Sequence, residues 1–145
     1  MKSSVVLLFC LAASLSGLAQ KSPVFAPEGK AIKGYDAVAF FTDAKPVKGA
    51  DSLSYKWQGV EWLFVSRKHL ESFKSNPGKY APQYGGYCAY GTSQGHKAPT
   101  EADTWTIVGD KLYFNYNGEV KKMWLKDQQP LIKKADQNWP EVMNQ

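Results

Sequence analysis

The chain is predicted to be α+β on three observations. Tyr55 to Trp57 and Val60 to Val65 are aromatic and β-branched segments flanking Gln58-Gly59, which reads as a β-hairpin. Thr104 to Val108 and Leu112 to Tyr116 repeat the pattern around Gly109-Asp110, with glycine in the first central position as a type II′ turn prefers. After Asn117-Gly118, apolar residues recur three and four apart, which is helical spacing. Two hairpins are therefore expected to contribute to a small antiparallel sheet, packed with short helices and followed by a helical C-terminus.

The first residues read as a targeting segment. Lys2 supplies positive charge, Val5 to Leu15 an apolar core, and Gly17-Leu18-Ala19 a small-x-small cleavage site. The apolar run is shorter than the roughly 20 residues a membrane span needs. Cys10 follows Phe9 inside that core, whereas a lipoprotein cysteine would follow a small residue at the cleavage point, so no lipid anchor is expected. Residues 1–19 are read as a cleaved signal peptide, 20–30 as a Pro-containing leader and 31–145 as one domain. Export places the protein in the periplasm or outside the cell.

Within the domain, Ile32, Val38, Phe40 and Phe41 around Gly34-Tyr35-Asp36 predict a turn leading into a strand. A loop carrying Pro46 and Gly49 leads to the first hairpin. Ser66 can then cap a helix, with Val65 and Leu70 spaced as a hydrophobic staple and Leu70 and Phe73 on one face. Pro77-Gly78 ends it. Residues 77–103 show no steady period, which marks the segment as functional, partly helical, or both. A helical turn is expected at Tyr87 to Tyr90, bounded by Gly85-Gly86 and Gly91. Towards the C-terminus, Val120, Met123 and Trp124 predict one helix, and Leu131, Ala135 and Trp139 a second opened by Pro130.

Eighteen basic and 13 acidic residues give a formal charge of +5. Lys121, Lys122 and Lys126 lie beside Glu119 and Asp127, the pattern of a solvated face, so no nucleic-acid partner is expected. With Cys10 in the signal segment, Cys88 is the sole remaining cysteine and no intramolecular disulfide can form.

Cys88 is therefore the first candidate for chemistry. Thiolate and imidazole suit copper or zinc, and Cys88, His96 and His69 are the non-carboxylate ligands on offer besides Met123 and Met143. The separation of Cys88 from His96 is not that of a structural zinc site. The bland alternative for Cys88 is a small buried thiol under aromatic rings, and for the histidines simple solvation. An enzyme would use Cys88 as nucleophile, His96 or His69 as base, and Asp36 or Asp103 to orient it, but these residues form no diagnostic local motif. Tyr84, Tyr87 and Tyr90, with Tyr80, can line a pocket for a flat ligand or simply fill the core. Asp36 enters the same candidate pocket, its alternative role being to form a local turn.

Several motifs in order carry a resemblance. Tyr55, Gly59, Trp62, Phe64, Ser66, Phe73, Pro77 and Tyr80 fall on the pattern of the small YHS domain. Lys33-Gly34-Tyr35-Asp36, Val38-Ala39-Phe40-Phe41, Tyr84-Gly85-Gly86-Tyr87-Cys88-Ala89, Lys111 to Tyr116 and Trp139-Pro140 resemble the larger group of exported YHS-domain proteins. The resemblance implies a metal site, since YHS domains accompany copper-transport proteins and often carry a Phe-Cys-Ser-x-x-Cys arrangement. Here that stretch reads Phe64-Val65-Ser66-Arg67-Lys68-His69, leaving Cys88 as the one thiol ligand. The expectation is an exported noncatalytic binding module of the YHS-domain type, taking copper or zinc through Cys88. The alternatives are a metal-independent small-ligand or protein-interaction domain with a structural Cys88 and, third, a small cysteine enzyme.

Overall fold

The computed structural model describes residues Ser22 to Gln145, so the expected signal peptide and the first two leader residues lie outside it. The architecture is α+β, in the order α1 (Ala39–Thr42), β1 (Ala50–Trp57), β2 (Val60–Phe64), α2 (Arg67–Ser75), α3 (Pro77–Tyr80), α4 (Ala89–Ser93), β3 (Thr106–Val108), β4 (Lys111–Tyr113), α5 (Gly118–Lys126) and α6 (Gln128–Val142). Short 3-10 turns fill Pro27–Gly29, Ala31–Gly34, Gln83–Gly86 and Ala102–Thr104.

The hairpins form two separate two-stranded sheets, β1-β2 and β3-β4. In the first, Gln58 and Gly59 both take positive φ, the type I′ geometry whose twist matches the flanking strands. The register pairs Tyr55 with Trp62 and Trp57 with Val60. Gly109 and Asp110 also both take positive φ, so the second turn is type I′ rather than the expected II′. Its strands are shorter than predicted because Thr104 and Asn115 leave the ladder for each other: Thr104 Oγ1 donates to Asn115 O at 2.9 Å and accepts from Asn115 N at 2.8 Å.

The strand expected after Gly34-Tyr35-Asp36 is helix α1. Asp36 Oδ1 accepts from the backbone N–H of Val38 at 2.9 Å and of Ala39 at 3.1 Å, which starts a helical turn in a sequence otherwise suited to a strand. Ser66 caps α2 as expected, accepting from His69 N at 3.1 Å. No staple with Leu70 is evident at Val65, whose side chain is 44% exposed; its N–H is instead drawn to Asp36 Oδ2 at 2.9 Å. The leader from Pro23 is part of the body, with Val24 and Phe25 buried and Phe25 N–H donating to Gly85 O at 2.9 Å.

Two clusters make the core. The larger gathers Val38, Phe40, Trp62, Phe64, Leu70, Phe73, Leu112 and Phe114, with Trp62 stacked on Phe73 at 4.8 Å between ring centroids. The smaller joins Tyr84, Ala89, Tyr113, Trp124 and Ala135, and Trp139 packs against it. Among the described residues no helix is long and apolar enough to cross a membrane.

Candidate functional site

Cys88 does not sit within the expected helical turn. It is the N-cap of α4, and its backbone bridges to Phe114 while its N–H donates to Ala98 O at 3.0 Å. The side chain is 1% exposed. Sγ accepts from Gly91 N and Tyr116 N, each at 3.3 Å, and contacts Asn115 Oδ1 at 3.6 Å. Burial pushes the thiol pKa up, against a smaller lowering from the backbone N–H groups, so the nucleophilic and metal-binding form is disfavoured. Cys88 Sγ thus serves as a capping acceptor for α4 inside the core.

The two histidines stand in different surroundings. His96 is exposed in the loop after α4. His69, in the first turn of α2, turns Nδ1 to Asp36 Oδ2 at 2.7 Å. Asp36 is fully buried. Its two oxygens thus serve three backbone N–H groups and one imidazole, binding the α1 turn to the start of α2. A carboxylate offers only acceptors, so this contact assigns a proton to His69 Nδ1. Nε2 faces Thr42 Oγ1 at 3.3 Å and Asp43 Oδ1 at 4.0 Å.

Thr42, His69 and Asp36 thus have the connectivity of a nucleophile, base and orienting acid. The threonine hydroxyl has one proton and three acceptors within reach, since Asp43 Oδ1 lies at 2.9 Å and Val38 O at 3.2 Å. It is shared among acceptors at the end of α1. Among the described residues, no three His, Cys, Asp or Glu side chains are grouped to hold a metal ion. Cys88, His69 and His96 are not brought together as a ligand set.

The tyrosines separate as well. Tyr90 is half-buried against the smaller cluster and its N–H donates to Asn115 Oδ1 at 3.1 Å. Tyr87 donates its hydroxyl to Ser22 O at 2.7 Å and receives the Lys97 ammonium over its ring face at 5.0 Å. Only Tyr84 of the predicted pocket residues lines the cleft described next.

That cleft, about 330 Å³, opens on the seam between the two core clusters. Trp57 and the buried Trp62 pack together in its lining, with ring centroids 5.6 Å apart. Tyr84 and Trp139 also line it, edge to face at 5.9 Å. Tyr84 Oη donates to Asp136 Oδ1 at 2.8 Å. Burial, first, and then this bond to Asp136 push the Tyr84 pKa up, so the phenol remains a neutral donor. Tyr84, Gly85 and Gly86 all have positive φ, an uncommon and costly state for the tyrosine. The fit behind the loop is tight: a Cβ on Gly85 would stand 1.8 Å from Pro23 O.

The sequence reading missed Trp57, Trp62, Asp136 and Trp139 as wall residues. Part of the signal was present. A two-residue turn fixes the hairpin register and puts Tyr55, Trp57, Val60 and Trp62 on one face, while Asp136 and Trp139 are three apart on a helix. A scan against protein-family models, a search of curated proteins and a search of solved structures each found no match to this chain.

Proposed function

We propose that the protein is an exported, noncatalytic binding module of the YHS-domain type whose ligand seat is the aromatic cleft and whose Cys88 is structural. One observation carries this reading: the half-buried Trp57 and Trp139, backed by the buried Trp62 and by Tyr84 in left-handed backbone, bring three chain segments together around a cleft of about 330 Å³. The volume falls in the range of roughly 300–1,000 Å³ typical of small-molecule sites. The ordered YHS-like motifs support the module class, and the export signal supports its compartment. The buried thiol, capped by two backbone N–H groups, favours the metal-independent form of the module over copper or zinc held by Cys88.

Five tryptophans make the test direct. Trp57, Trp62 and Trp139 line the cleft, whereas Trp105 and Trp124 do not. Titration of the isotopically labelled protein with unlabelled indole, followed through the tryptophan side-chain N–H signals, should move the first group and leave Trp105 and Trp124 in place. Absence of any saturable shift up to millimolar indole would remove the cleft as a ligand seat.

A further inference from the structure

We infer that the cleft selects an organic ammonium ion carrying an aromatic body, with Asp136 as the residue that sets the sign of the charge. The inference rests on the cleft being the ligand seat and adds the class of ligand. Asp136 is the one charged side chain among the described residues that line the cleft. In a chain with 18 basic and 13 acidic residues, chance would more readily have put a lysine there. Lys133 and Lys134 stand on the same helix as Asp136, yet neither lines the cleft.

The chemistry around Asp136 fits a cation on two counts. Aromatic faces attract cations through the ring quadrupole, and the half-buried Trp139 stands three residues from Asp136 on the same helix and lines the same cleft. The Tyr84 hydroxyl occupies only one carboxylate oxygen, Oδ1, and fixes the carboxylate against the ring wall. The second oxygen has full acceptor capacity for an ammonium N–H. An anionic ligand of the same shape would meet a carboxylate, with no lysine or arginine of the described lining to offset it. The apolar body of the ligand would rest against the half-buried Trp57 ring.

The test uses three probes of nearly equal shape: tryptamine, protonated at neutral pH, its neutral alcohol counterpart tryptophol, and the anion indole-3-acetate. Binding is followed by the Trp57 and Trp139 side-chain N–H signals at low salt. Tryptamine should bind about fivefold to tenfold more tightly than tryptophol, the combined worth of an exposed ion pair and a cation–π contact. Indole-3-acetate should bind most weakly. Asp136→Asn keeps an oxygen to accept from Tyr84 and removes the charge, so in a variant with an unchanged circular dichroism spectrum tryptamine should fall to the tryptophol affinity. Equal binding of tryptamine and tryptophol to the native protein overturns the charge selection while leaving the cleft as a ligand seat. Preference for indole-3-acetate, or an unchanged ratio in Asp136→Asn, overturns it as well. No binding of any probe removes both the selection and the seat.

Discussion

His69 Nδ1 lies 2.7 Å from Asp36 Oδ2, a contact that joins the turn before α1 to the first turn of α2 across 33 positions of sequence. The carboxylate is fully buried and also accepts from Val38, Ala39 and Val65 N–H. Removing it leaves three buried or half-buried donors and an imidazole without their acceptor. Asp36→Ala should therefore lower unfolding free energy by about 3 kcal/mol or more. His69→Ala leaves Asp36 its three backbone donors and should cost about 1–2 kcal/mol. Urea denaturation of both variants checks the order, and equal losses would contradict the hub role given to Asp36.

Cys88 should behave as a protected thiol. With 1% exposure and a pKa pushed up by burial, it offers little thiolate to an alkylating reagent at neutral pH. Iodoacetamide should modify it only as fast as the surrounding structure opens, and promptly in denaturant. Peptide mass spectrometry scores Cys88 separately from Cys10. Rapid modification in the native protein would restore the reactive-thiol reading.

Local chemistry made much of this fold legible, and long-range contact hid the rest. Ser66 capping α2 and the Gln58-Gly59 turn are decided within a few residues, and both stand where the sequence puts them. Asp36 was legible as a turn former, but its bonds to Val65 and His69 depend on how two distant segments pack. Its bonds to the N–H groups of Val38 and Ala39, two and three residues on, turned an expected strand into α1. Cys88 drew attention as a solitary thiol in a glycine-rich run, yet its surroundings come from Asn115 and Tyr116, far along the chain. The cleft shows the same division: each wall has a local pattern, while the meeting of Tyr84 with Asp136 spans 52 positions.

Gly85 is held by space as well as by backbone angle. Its φ is +62°, and an added Cβ would stand 1.8 Å from the Pro23 carbonyl oxygen. Gly59, at φ +78° in the first hairpin turn, has nothing within 4 Å of the same added atom. Gly59→Ala should thus cost only the left-handed strain, about 1–2 kcal/mol. Gly85→Ala must also displace Pro23 or the Tyr84 loop, and should cost about 4 kcal/mol or more. Chemical denaturation of the pair measures the difference; similar losses would mean that the Pro23 segment yields easily.

Alkaline pH should destabilise the fold through its buried phenols. Tyr84 has its pKa raised above 10.0, chiefly by burial and then by its bond to Asp136, and burial raises Tyr87 and Tyr113 as well. Each keeps its proton in the folded protein over a range in which the unfolded chain releases it, so the folded state binds more protons there. Stability tied to these groups is complete below pH 10, the ordinary tyrosine value, and declines as the pH rises above it. Tyr84→Phe removes one such group. Its unfolding free energy should start lower at pH 8, because the Asp136 bond is gone, and should fall less steeply between about pH 10 and 11. Denaturation curves at stepped pH check the slope, and parallel declines in the two proteins would show that Tyr84 ionises as easily folded as unfolded.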